Sequence, residues 1–165
     1  GDSFAYGVAD ILAAGLSAIQ EKKIDDAIRY HSDIQKAIGS ENNSGSKAAE
    51  CKVHMANMTP AENLAVQVME KELQAAILNA QGKKDDALRL MKDATAIEDS
   101  MTFEFGPPLP VKPSHELFAE FLLEAGKYKE AQDEFNKALA RAPGRTLSLQ
   151  GLALAAKQSG DAQGH

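Results

Sequence analysis

Glu116, Glu120 and Glu124 recur at every fourth residue, a spacing that brings side chains to one face of an α-helix. Carboxylates so placed form either an acidic binding surface or a solvated helix face whose members near the N-terminus gain from the helix dipole. Both readings stand at this level. His115-Glu116 opens like a zinc-protease helix, but that motif needs a second histidine four residues after the first, and the position is Ala119. Cys51 and His54 have a spacing used in some zinc sites, yet no second pair lies near, which leaves a thiol and a surface imidazole. There is no glycine-rich phosphate loop and no nucleophile elbow, and the Ser, His and Asp residues are too dispersed to nominate a triad. No catalytic residue, metal ligand or cofactor is therefore assigned, and the chain reads as non-enzymatic.

The elements that must position these residues are announced by a turn phrase that returns three times. It reads Glu21-Lys-Lys-Ile-Asp-Asp-Ala27, Gly82-Lys-Lys-Asp-Asp-Ala87 and Gly126-Lys-Tyr-Lys-Glu-Ala131. In the two clearer copies a glycine ends one apolar-periodic segment and an alanine lies five residues on, inside the next, which is a repeated helix-turn-helix. The first helical pair spans 4–38, with helices expected over 4–20 and 24–38. A polar, glycine- and serine-bearing insertion over 39–59 is expected to be mobile. Thr59-Pro60-Ala61-Glu62 then supplies a capping box for a second pair over 60–101, with helices to about Gln81 and from Lys84 to Glu98. Four prolines between 102 and 113 exclude a helix and make that stretch an extended connector. Ser114 is expected to cap a helix to Ala125, followed by a partner over 128–141 and a last helix over 146–160 ending at Gly160.

Composition agrees. The chain has 165 residues, 44% hydrophobic and 25% charged, enough for one domain with a core. Aromatics are only 5% with no tryptophan, and alanine and leucine dominate, which suits close helix packing better than a β-sandwich. A net charge of -6, with the lysines spread over turns, argues against a nucleic-acid surface. No apolar run approaches the roughly 20 residues needed to cross a bilayer. The lone Cys51 excludes an internal disulfide, and the opening Gly1-Asp2-Ser3 reads as a processed or excised start, with any targeting sequence upstream. No compartment is assigned.

The repeat resembles the tetratricopeptide (TPR) family, whose unit of about 34 residues buries its apolar face by stacking on its neighbours. The best-matched unit is 112–145. With Lys112 in the first position, Phe118 and Ala119 fall where the family prefers leucine and a small residue, Ala131 and Ala138 at the small crossing positions, Phe135 at the aromatic and Pro143 at the closing proline. His115 replaces the family tryptophan, and Leu122 its usual tyrosine. The alanine spacing, 60 residues from Ala27 to Ala87 and 44 from Ala87 to Ala131, accommodates an insertion in each interval. Asp86–Asp99, Gly106-Pro-Pro108, 112–131 and Phe135–Ala153 also resemble a recurrent C-terminal segment of longer bacterial TPR proteins, which brings no reaction with it.

The resemblance implies an all-α fold of helix-turn-helix repeats stacked as a short right-handed α-solenoid with a C-terminal capping helix. It also implies a concave binding face lined by the first helix of each unit, here through Glu72, Ala76, Glu116, Glu120, Leu147, Gln150 and Leu154. The expected function is a protein–protein interaction or scaffold module whose partner is a protein or peptide with basic and apolar residues. Family members that hold a terminal carboxylate do so with lysine and asparagine on this face, whereas Glu116 and Glu120 occupy it here. The alternative is a structural cap of a longer repeat protein with no partner of its own, and an enzyme-associated domain stands third.

Overall fold

The computed structural model describes residues 2–38, 60–101 and 112–162. The expected mobile insertion, most of the proline connector, and Cys51, His54 and Thr59 lie outside the described residues. Within them the fold is all-α, with α1 Asp2–Gln20, α2 Ile24–Ile38, α3 Pro60–Ala80, α4 Lys84–Ser100, α5 Ser114–Glu124, α6 Tyr128–Arg141 and α7 Thr146–Ala162. None of these helices is long and apolar enough to cross a membrane.

The three turn phrases share one backbone solution. Lys22, Gly82 and Gly126 each take a positive φ, 63°, 84° and 79°. Around each, the same pair of hydrogen bonds closes the preceding helix: Lys22 N–H to Ile19 O with Lys23 N–H to Ala18 O, and likewise Gly82 to Asn79 with Lys83 to Leu78, and Gly126 to Leu123 with Lys127 to Leu122. This is the Schellman arrangement, which satisfies orphan carbonyls at a helix end and needs a left-handed residue just past it. The lysine after that residue then accepts the first bond of the next helix from Ala27, Ala87 and Ala131. All three alanines are fully buried. A larger side chain there would separate helices that cross at about 8–10 Å.

Packing follows chain order. Each helix packs on the next, and α1, α3, α5 and α7 also touch in succession, so the odd-numbered helices make a continuous row against which α2, α4 and α6 lie. The core runs along this row as three apolar clusters. Leu12, Ile34, Met69 and Leu73 centre the first, Met91, Ala94, Leu117 and Phe121 the second, and Phe135, Leu122 and Ala155 the third. At the far end Gly151 lies so close to the Phe135 ring that a Cβ there would overlap it, so α7 seats tightly on α6.

Several helix ends shift by one or two residues from the sequence reading, as at Asp2 and Ser100, and two of the differences have a clear physical reason. Gly160 does not stop α7, which runs on to Ala162; glycine weakens a helix by only about 1 kcal/mol. Ser114 is the first helical residue of α5 rather than its cap. Pro113 occupies the cap position with extended backbone, and the serine hydroxyl is engaged by Glu98 instead.

Candidate functional site

The first turn of α5 is polar and buried, which its sequence alone does not announce. Ser114, His115 and Glu116 are consecutive and all buried. Consecutive helical residues point about 100° apart, so the three side chains must leave in different directions. Ser114 donates through N–H and Oγ to Glu98 of α4. His115 reaches Asp99 of α4 and Glu134 of α6, and Glu116 reaches Ser148 of α7. The turn is a polar hub joining α4, α6 and α7.

Glu116 sits in a nest of donors. Arg145 clamps it bidentately, Nε to Oε1 and Nη2 to Oε2, both at 2.8 Å. Ser148 Oγ donates to Oε1 at 2.6 Å, and Lys112 Nζ lies 2.7 Å from Oε2. Burial pushes this carboxyl up, but the hydrogen bonds from Arg145, Lys112 and Ser148 outweigh it and bring it down to about 2. Lys112 Nζ also donates to Glu120 Oε1 at 2.6 Å.

Across the helix, His115 is held the opposite way. Its Nδ1 is 2.5 Å from Glu134 Oε2 and its Nε2 is 2.7 Å from Asp99 Oδ1. Two carboxylates as partners require a proton on each nitrogen, an imidazolium. Burial opposes that charge, yet Glu134 and Asp99 raise the imidazole above its ordinary value. Lys137 and Arg141 extend the cluster through Glu134 and Asp99. A groove of about 500 Å³ opens between α4 and α6 beside this clamp, floored by Leu88, Phe118 and Leu122.

Glu72 of α3 is the third buried acid and has no such support. It is fully buried, and neither carboxylate oxygen has a hydrogen-bond partner among the described residues. Burial pushes its carboxyl well above the usual range, the negative charge of Glu98 adds to this, and Lys112 only partly offsets it.

The seven residues expected on one binding face are thus distributed by depth. Glu72, Ala76 and Glu116 are buried, Glu120 is half-buried, and Leu147, Gln150 and Leu154 are exposed. The acidic surface expected of Glu72, Glu116 and Glu120 is corrected accordingly. Two of its members are interior, and Lys112 and Arg145 neutralise Glu116 because a buried carboxylate without a cation is too costly. The solvated-face reading fails for Glu116 on the same ground. It holds for Glu124, which is exposed and accepts from Asn79. Sequence reasoning missed Lys112, Arg145 and Ser148. The first lies at a connector's end and the other two beyond a helix stop, where no periodicity links them to Glu116. Among the described residues no group of three or more His, Cys, Asp or Glu side chains is arranged to hold a metal ion. Searches against protein-family models, curated proteins and solved structures find no match to this chain.

Proposed function

We propose that the chain is a non-catalytic protein- or peptide-binding module of the tetratricopeptide type, its hairpins stacked as a short right-handed α-solenoid, and that its partner lies on the row α3, α5 and α7. Support for the stacking comes from the threefold Schellman turn, the buried alanines that follow it and the succession of contacts along the odd-numbered helices.

The observation that carries the binding reading is on α7. Leu147 and Leu154 are 51% and 45% exposed, seven residues apart and so on one face, with Gln150 between them also exposed. Beside them Arg145 and Ser148 reach into the polar nest around Glu116. Exposed apolar groups rimmed by polar ones mark interaction surfaces more often than isolated leucines do.

Replacing both leucines by aspartate should leave helicity and melting unchanged and abolish capture of whatever the wild-type chain retains from its native host. The same set of captured proteins from both would remove this reading. It would favour the structural cap, which the close seating of Gly151 on Phe135 also supports.

A further inference from the structure

α4 and α6 each pack on α5 but make little direct contact with one another, and the groove runs between them. The buried imidazole of His115 ties the two, with Nε2 2.7 Å from Asp99 of α4 and Nδ1 2.5 Å from Glu134 of α6. Arg141 of α6 makes a second tie, to Asp99 and to the Glu98 carbonyl. Only the first of these ties is held by a group that can lose its proton near neutrality.

A neutral imidazole carries one N–H and one lone pair, so it cannot donate to both carboxylates. A lone pair facing a carboxylate oxygen at such distances is repulsive, and one of the two contacts must open when the proton leaves. Burial and distance select which one. Glu134 has the shorter contact and a side chain only 11% exposed, whereas Asp99 is 50% exposed and can take water in place of the ring. Each keeps a second cation, Lys137 for Glu134 and Arg141 for Asp99, so these do not reverse the choice. Of the other charges on the elements around α5, Glu98 is engaged by Ser114 and Arg145 by Glu116, and Glu72 of α3 makes no hydrogen bond to the imidazole.

We propose that His115 is a proton-controlled latch: charged, it ties α4 to α6 across the groove; neutral, it keeps Nδ1–H on Glu134 and releases Asp99. Ser114 and Arg141 still hold Glu98 and Asp99, so the last turn of α4 loosens without leaving the bundle. Asp99, His115 and Glu134 all line the groove, so release also leaves Nε2 as a bare acceptor on its wall. Burial opposes the charged ring and the two carboxylates outweigh it, which puts the release above the ordinary 6.5.

The experiment follows the full chain, with isotope-labelled histidine, by nuclear magnetic resonance from about pH 5 to about pH 10. The His115 signals are identified by their loss in His115→Leu or, if that variant does not fold, in His115→Gln. Both ring nitrogens should be protonated at the acid end, and Nδ1 alone beyond the transition. Amide exchange over Ile97 to Met101, corrected for its intrinsic pH dependence, should rise about fivefold with the same midpoint. In Asp99→Asn that rise should vanish, because an amide can accept from Nε2–H at low pH and donate to the bare nitrogen at high pH. A proton on Nε2 alone beyond the transition would mean that Glu134 is released instead, and would overturn the proposal. So would a ring already neutral at the acid end or still doubly protonated at the alkaline end, exchange that ignores the ring's titration, or a rise that persists in Asp99→Asn.

Discussion

On one side of α5 a buried imidazole is held between two carboxylates; on the other a buried carboxylate is held between two cations. The residues are neighbours, His115 and Glu116, and each is the charge inverse of the other. Opposite signs give opposite pH limits. Glu116 has a depressed folded-state value, so its contribution is present above the ordinary 4.5 and lost as pH falls through about 2. His115 has a raised value, so its contribution is complete below 6.5 and lost as pH rises through the folded-state value. Glu134, lowered by His115 and Lys137 against the effect of burial, adds an acid limit to the clamp. The hub is therefore best supported between about pH 4.5 and 6.5, where the Glu116 nest and the His115 clamp are both intact. Glu72 is the contrast to both, since it has the burial but, among the described residues, no hydrogen-bond partner.

Arg145→Met should have the largest effect on this comparison. Removing one member of a buried pair costs roughly 3–5 kcal/mol. Because Lys112 and Ser148 remain and Arg145 is one-third exposed, the lower end is expected at neutral pH. In denaturant titrations the deficit should shrink as pH falls from 4.5 toward 2, as Glu116 protonates. A deficit that does not change over that range would break the assignment of Glu116 as the acid-sensitive group.

His115→Leu comes next, at about 1–3 kcal/mol. It leaves Glu134 and Asp99 without the imidazolium but with Lys137 and Arg141 still in place. The deficit should be greatest between pH 4.5 and 6.5 and fade in alkaline solution, the reverse of the Arg145 variant. A difference in melting temperature that stays constant from pH 5 to pH 9 would mean that the fold leaves the proton affinity of the imidazole unchanged, and would break the assignment of the clamp.

The smallest effect is expected for Lys137→Met. Its ammonium is 3.0 Å from Glu134, but the side chain is 58% exposed and salt and water screen it, so a loss of about 0–1 kcal/mol is expected. A loss as large as that of His115→Leu would mean that Glu134 depends on Lys137 and that the imidazole is secondary.

Much of the helical framework was legible in the sequence. The recurring turn phrase marked the three helix–helix turns. Ala87 and Ala131 marked helix crossings, and apolar periodicity placed the helices to within a few residues. These are local properties. A Schellman turn is specified by a few adjacent residues, and an alanine at a crossing by the space it leaves. The same logic explains Lys22, which takes a left-handed conformation that usually falls to glycine because its turn has the same hydrogen-bonding pattern as the other two. Where a residue's role depended on one neighbour in the chain, as at Ser114, the local reading was already incomplete, since the hydroxyl found Glu98 sixteen residues away instead of capping its own helix.

The electrostatic character of the α3, α5 and α7 row was decided only in three dimensions. The spacing of Glu116, Glu120 and Glu124 established that they share a helix face, but depth along that face runs from fully buried to exposed because α7 covers one end of it. Whether a carboxylate is a surface charge, a clamped ion or an orphan depends on donors that arrive from other parts of the chain: Arg145 and Ser148 for Glu116, Lys112 for Glu120 and, among the described residues, none for Glu72. Helix formation and helix ends are governed by contacts a few residues apart and can be read from the sequence. Charge state is governed by desolvation and by long-range pairing, and the tertiary structure alone brings those partners together.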